Sequence, residues 1–472
     1  MDQKPTDAAV LARALEHATR YLGGLGSAPV GATATPAELR ARLRRPLTDA
    51  GLEPARVVDE LVADVAGGLT GSAGGRFFAW VIGGTLPAAL AADWLASTWD
   101  QNAAIHACSP AAAVLEEVCE GWLKELLGLP ATASFAMTTG SQMAHVVSLA
   151  AARHALLARR GWDVEERGLH GAPPLRILTS DQRHGSLDRA VRLLGLGLQA
   201  LRILPADGEG RLSPETLRAA LDADPEAATV VVLQAGDLNA GAFDDFARLV
   251  PLAHERGAWV HVDGAFGLWA AASPAHRHRV AGMPAADSWV TDGHKWLNVP
   301  YDCGYAFVAD RAAHLAAVSH RESYLVQVEG VRDQLDWNPD FSRRARGVAT
   351  YAAIRQLGRS GVADLVERSC RHALALVDGL GALPGVEVAW RPQLNQGLVR
   401  FLDPRPGAAP ADHDRRTDAV IAAIDAGGEA FFGGTTWRGR RCMRVSVCSW
   451  RTTEEDVRRA VAAARLVLAG MG

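Results

Sequence analysis

The chain has 472 residues, of which 49% are hydrophobic and 22% charged, with a formal net charge of −4. That length exceeds one simple core and predicts two or three packed units, while the composition excludes a disordered chain and the lack of basic excess excludes a nucleic-acid binder. No uninterrupted apolar stretch is long enough to span a bilayer, and the opening residues Met1 to Pro5 lack the basic-then-apolar pattern of a secretion signal. The six cysteines, Cys108, Cys119, Cys303, Cys370, Cys442 and Cys448, are scattered and form no CxxC pair. The expectation is a reduced, cytoplasmic protein with neither a disulfide framework nor a metal site.

In chain order, residues 6–22 read as a helix, 23–36 as turn-rich, and 36–66 as two further helices. The segment 76–84 is apolar and ends in the paired glycines Gly83 and Gly84, where backbone could approach a ligand closely. Residues 109–127 predict an amphipathic helix with Val114, Leu115, Val118, Trp122, Leu123, Leu126 and Leu127 on one face. Short apolar runs then alternate with helical stretches. The predicted strands are 134–137, 175–179, 229–233, 259–262, 288–291 and 304–308, with helices at 141–159, 213–222 and 244–256. Val- and Ile-rich strands bounded by helices imply an α/β fold with a mostly parallel sheet covered on both faces. A long helix near 343–380 leads to strands at 386–390, 397–401 and 443–447 and helices near 415–426 and 453–469, a small α+β domain.

Ligands of open α/β sheets sit at the carboxyl ends of strands. There lie Thr139-Gly140-Ser141, Asp181 with His184, Asp237 with Asn239, Asp263, and Asp292-Gly293-His294-Lys295. Only three of the 49 basic residues are lysines: Lys4, Lys124 and Lys295. Arginine stays protonated, whereas a buried lysine can lose its proton and act as an amine nucleophile. Lys4 belongs to a terminus, and Lys124, four residues after Glu120, is explained by a solvated ion pair. Lys295, after a strand and a turn, has no such account and reads as an imine-forming lysine.

Imine chemistry on pyridoxal phosphate asks for three supports. Asp263, at a strand end, offers a carboxylate for the pyridine nitrogen. Gly140, Ser141 and Gln142 open a helix whose free N–H groups suit a phosphate. His184, just after a strand, offers a flat group for the ring.

With these residues in place, the chain resembles the group II pyridoxal-phosphate-dependent amino-acid decarboxylases, which include the aromatic-amino-acid, glutamate, cysteine-sulfinate and diaminobutyrate enzymes. The matching pieces are Ser109-Pro110-Ala111, Ser180-Asp181-Gln182-Arg183-His184, His261-Val262-Asp263-Gly264-Ala265, His294-Lys295-Trp296-Leu297, Tyr301-Asp302-Cys303 and Ser323-Tyr324-Leu325. The resemblance implies a fold-type-I (aspartate aminotransferase-like) enzyme with an N-terminal helical arm (1–80), a large cofactor-binding α/β domain (81–352) and a small C-terminal α+β domain (353–472). It implies a homodimer with the active site at the interface, binding a small amino-acid substrate. Lys295 would carry the cofactor, Asp263 would pair with its ring nitrogen, and His184 would stack on the ring and meet the substrate carboxylate. Ala265 would pack on the opposite ring face. Ser141, Gln142, Thr291 and His294 would surround the phosphate, and Asn239 matches a Thr near the cofactor hydroxyl. Tyr324 would return a proton to the substrate carbon from a mobile loop within the polar stretch 319–340.

The implied reaction is decarboxylation of an L-amino acid to the amine and carbon dioxide. Transamination or decarboxylation-dependent oxidation on the same cofactor, or a non-catalytic scaffold, are the alternatives. Two departures from the family bear on the side-chain pocket. Ile82-Gly83 stands where aromatic-type enzymes carry Pro-Thr, and Met143-Ala144-His145 stands where relatives more often place an acid or Asn. Trp80, Ile82, Gly83, Gly84, His106 and Trp296 are the pocket candidates. Arg444 matches a carboxylate-binding arginine of the glutamate-type enzymes.

Overall fold

Short runs rich in Val, Leu and Trp build the central sheet of the computed structural model, which describes residues 7–320 and 330–471. Among these residues its strands are β1 (Ser134–Thr138), β2 (Leu175–Ser180), β3 (Leu201–Leu204), β4 (Ala228–Gln234), β5 (Trp259–Asp263), β6 (Ser288–Asp292) and β7 (Gly304–Val308). Their order is β1-β7-β6-β5-β4-β2-β3. β7 runs antiparallel to both neighbours and every other pairing is parallel, so the six other strands end at one edge. The register places Gln234 beside Asp263 and Asp263 beside Val290.

β4 shows why these runs are strands. Val230 and Val232 pack with Leu149, Ala152 and Ile177 on one face, while Val231 and Leu233 pack with Leu249 and Val260 on the other. A strand buried on both faces carries an unbroken apolar run instead of alternation. The helix Ser141–Ala158 covers one face, and helices Pro110–Leu127 and Phe246–His254 cover the other. Proline at the first turn starts helices at Pro36, Pro54, Pro87, Pro110, Pro214 and Pro410, where its missing N–H costs nothing.

The C-terminal unit carries β8 (Val386–Trp390), β9 (Gln396–Phe401), β10 (Gly433–Trp437) and β11 (Arg440–Ser446) as an antiparallel sheet in the order β10-β11-β9-β8. Helices Pro410–Ala426 and Glu454–Gly470 pack on it. The long helix Gly347–Gly381 enters this unit with a break at Gly358 (φ 60°), and residues 352 and 353 both lie within the helix. β3 and β10 were not among the predicted strands. Both are edge strands, and Gly-Gly-Thr-Thr-Trp or a four-residue run carries too little apolar pattern to mark one.

Two readings of the helix Pro110–Leu127 need correction. Val114 is half exposed, outside the buried face. Lys124 is buried, not solvated: its Nζ donates to Glu120 Oε1 (2.6 Å) and to the Ala131 carbonyl (3.1 Å). The ion pair with Glu120 is present, but a backbone carbonyl completes the shell that water was expected to supply. No helix among the described residues is long and apolar enough to cross a membrane.

Candidate active site

The turn after β6 carries Lys295. Lys295 Nζ lies 3.0 Å from Asp292 Oδ2, and the other oxygen of Asp292 accepts from the backbone N–H of Ser141 (2.6 Å). Burial alone would raise the Asp292 carboxyl, but Lys295, His294 and the Ser141 N–H outweigh it and hold the group below its ordinary value. His294 Nδ1 accepts from the Cys303 N–H (3.1 Å), and its ring stacks on Tyr301 at 4.4 Å between centroids. Burial lowers the His294 pKa in spite of Asp292.

Ser141 and Gln142 open the helix beside this cluster. Ser141 Oγ and Gln142 Nε2 are two buried donors without a partner among the described residues. A Cβ on Gly304 would stand 2.4 Å from the Cα of Gly140, and one on Gly140 would stand 3.1 Å from His294 Cε1. Side chains are therefore excluded where β7 and the β6 turn pass the opening of the helix. Unsatisfied donors at a helix N-terminus are the fit a phosphate requires.

On β5, Asp263 is buried. Its Oδ1 accepts from the Ala265 N–H (3.2 Å), and its Oδ2 lies 3.5 Å from His145 Nε2. Burial would raise this carboxyl, but a hydrogen bond from His145 and the charge of Lys295 outweigh it and hold the group below the usual carboxylate range. An ionised carboxylate at that depth, within electrostatic reach of Lys295, suits the protonated ring nitrogen of a pyridoxal cofactor. The Ala265 carbonyl accepts from the Asp292 N–H (3.0 Å) and from Thr291 Oγ1 (3.4 Å), so the turn after β5 and the end of β6 are tied together.

His184 caps the helix Gly185–Leu193. The Ser186 N–H donates to its Nδ1 (3.2 Å), which places the proton of the neutral ring on Nε2. Asn239 follows β4 in a turn held by Asp237, whose carboxylate accepts three backbone N–H groups, and Asn239 Oδ1 accepts from Thr435 Oγ1 (2.7 Å). Arg444 is buried with its charge facing Asp237, and it donates to the Leu238 carbonyl (2.9 Å).

The pocket candidates separate. Gly83 lies against the backbone of Lys295: a Cβ there would stand 1.8 Å from the Lys295 carbonyl oxygen. The close approach expected at Gly83 is thus to the protein's own chain, and Gly84 (φ 76°) faces the Ala73 carbonyl and Ser449. Trp80 is exposed and leans on Phe77 and Phe431, and Ile82 joins the same cluster. Trp296 is core, 6.5 Å from Phe266. His106 donates its N–H to Asp333 Oδ1 (2.8 Å). Tyr324 lies outside the described residues.

Three residues of the site escaped the sequence reading. Asp292 was noted as a strand-end acid but given no role. His145 was noted only as a departure from the family. Asn298, in the left-handed region at φ 54°, donates from Nδ2 to the Trp296 and Cys448 carbonyls (2.9 and 3.0 Å) and accepts from the Trp450 N–H (2.9 Å). The signal for Asn298 was its residue type, since Asn adopts that conformation more readily than other side chains.

Fold and site together define a fold-type-I pyridoxal-phosphate enzyme, with the Lys295 amine, the buried Asp263 carboxylate and the unsatisfied donors of Ser141 and Gln142 at the carboxyl ends of one sheet. The pyridoxal-dependent decarboxylase conserved domain matches residues 36–402, and the chain belongs to that family of carbon–carbon lyases. Tryptophan decarboxylase 1 of Oryza sativa subsp. japonica is 29% identical over 478 residues, covering 95% of this chain and 91% of the relative. Phenylacetaldehyde synthase of Arabidopsis thaliana is 25% identical over 414 residues, covering 86% and 84%. The solved structure of Oryza sativa TDC with PLP and tryptamine superposes with a TM-score of 0.92 at 26% identity, covering 100% of both chains.

Proposed function

We propose that the protein removes the α-carboxyl group of an L-amino acid, releasing carbon dioxide and returning a proton to Cα to give the amine. The observation that carries this reading is the ionised Asp263, held deep in the protein within electrostatic reach of both Lys295 and His184. Bound pyridoxal phosphate supplies an electron sink for the pair left on Cα when the carboxyl group departs.

The chain's own residues do the rest. Lys295 would supply the amine that holds the cofactor aldehyde and makes way for the substrate amine. Asp263 would keep the ring nitrogen protonated, and Ala265 would lie against the ring. Ser141, Gln142, Thr291 and His294, with the backbone at Gly140, would hold the phosphate, and Asn239 would meet the cofactor hydroxyl. His184 presents Nε2–H to the substrate carboxylate, and Arg444 adds positive charge on the same side. Tyr324 returns the proton to Cα. The working unit is a homodimer.

The test uses the purified protein with pyridoxal phosphate. A borohydride-reducible chromophore is expected, lost in Lys295→Ala. A panel of amino acids is then scored for carbon dioxide, amine and oxygen uptake. Equal amounts of carbon dioxide and amine without oxygen uptake support decarboxylation. Aldehyde with oxygen uptake, or keto acid without carbon dioxide, would replace it. Tyr324→Phe is expected to bind the cofactor and lose amine formation; unchanged turnover would remove its role as proton donor.

A further inference from the structure

Beyond the second carboxylate oxygen of Asp263 runs a line of buried polar groups that the proposed chemistry does not use. His145 Nδ1 and His261 Nε2 are 2.9 Å apart, His261 Nδ1 and Ser288 Oγ are 2.9 Å apart, and Trp259 Nε1 donates to Ser288 Oγ at 2.9 Å. All four residues are essentially inaccessible to solvent. His145 Nε2, at the near end, has no partner but Asp263 among the described residues.

We propose that Trp259, Ser288, His261 and His145 form an uncharged, one-way hydrogen-bond relay ending on Asp263, which makes His145 a positioning residue for the carboxylate beneath the cofactor ring. Direction follows from donor chemistry. An indole N–H can only donate. The Ser288 hydroxyl accepts from it, and among the described residues the acceptor offered to the hydroxyl's own proton is His261 Nδ1. His261 then carries its proton on Nε2 and donates to His145 Nδ1. His145 carries its proton on Nε2, facing Asp263. The charged alternative would have His145 donate from both nitrogens and His261 donate to Ser288, leaving the serine proton without an acceptor in a dry interior. Burial pushes the His261 pKa down to about 3, in keeping with a neutral ring.

The relay fits the task. Asp263 must be oriented and remain ionised. A neutral N–H facing Oδ2 across a long 3.5 Å contact and the Ala265 N–H on Oδ1 orient it without discharging it, so its charge is left for the ring nitrogen. His145 lies on the helix Ser141–Ala158 and reaches both His261 and Asp263 on β5, so one ring spans from the helix to the strand that carries the carboxylate.

The inference rests on Asp263 as the ring-nitrogen partner, and the test separates the two. In holoenzyme labelled with ¹⁵N-histidine, His145 and His261 are expected as neutral Nε2–H tautomers; a doubly protonated His145 or an Nδ1–H form of either ring would overturn the relay. In enzyme loaded with ring-¹⁵N pyridoxal phosphate, His145→Leu is expected to shift the ring-nitrogen resonance toward the unprotonated form. It should lower kcat about tenfold with KM changed less than about twofold, the scale of lost outer-shell partners elsewhere. His145→Gln, whose amide can accept from His261 and donate to Asp263, is expected to restore both. An unchanged resonance in His145→Leu would overturn the relay. Should that variant not fold, Ser288→Ala, which leaves Asp263 and His145 in place, is expected to alter the His261 tautomer signal, and an unchanged signal there would overturn it equally. If Asp263→Asn leaves the ring nitrogen protonated, the reading of Asp263 fails. If Asp263→Asn moves the resonance and His145→Leu does not, the relay alone fails.

Discussion

The carbonyl oxygen of Lys295 stands 1.8 Å from the point where a β-carbon on Gly83 would sit, with the Asn298 side-chain amide 3.0 Å from the same point. The segment that contains Gly83 therefore packs backbone against backbone on the turn that carries Lys295. Gly83→Ala cannot be accommodated without moving that turn, because the obstructing atom is main chain rather than the end of a flexible side chain. The variant should fold but bind pyridoxal phosphate at least about tenfold more weakly, the cost of about 1.4 kcal/mol of displacement. Titration of the cofactor chromophore would check this, and wild-type affinity would contradict it.

Asn298 ties the same turn to the segment of Cys448 and Trp450. Asn298→Ala loses the bonds to Trp296, Cys448 and Trp450 and places a less tolerant side chain at φ 54°. The combined cost is about 2–4 kcal/mol. Asn298→Gly keeps the backbone conformation and should recover only the strain portion. Denaturant midpoints of the two variants measured side by side separate the contributions.

His314 joins the two flanks of the segment that contains Tyr324. Its Nε2 donates to the Trp337 carbonyl (3.0 Å) and its Nδ1 meets Ser134 Oγ (2.8 Å). Burial pushes its pKa down to about 3, against about 6.5 in an unfolded chain. Between those values the unfolded state binds a proton that the native state does not, so stability rises with pH and is lost on acidification below about 6.5. The slope from this group is about 1.4 kcal/mol per pH unit at most. His314→Asn should show a shallower fall in unfolding free energy between pH 6 and pH 4 than the wild type (roughly the window set by those pKa values). Equal slopes would contradict the assignment.

Thr435, on the edge strand β10, orients Asn239 through a 2.7 Å hydrogen bond across the domain boundary. Thr435→Val removes that donor while keeping the shape. If Asn239 faces the cofactor hydroxyl, about 1 kcal/mol of lost positioning should weaken cofactor binding about fivefold, with little change in thermal stability. A loss of stability without a change in affinity would assign the bond to docking of the small domain instead.

Much of this molecule was written locally. Buried parallel strands need unbroken apolar runs, and catalytic side chains need strand ends, so β4, β5 and β6 and the placement of Asp263, His294 and Lys295 were legible before any coordinates. The scarcity of lysine singled out Lys295 on chemical grounds alone. What only the tertiary structure decided depends on pairs distant in the chain: Gly83 against Lys295, Asn298 against Cys448, and His145 against His261, 116 positions away. The edge strands β3 and β10 and the burial of Lys124 belong with these, because each depends on a neighbour that local periodicity does not encode. A side chain's type limits which hydrogen bonds it can make, but only the folded chain brings up the partner that completes them.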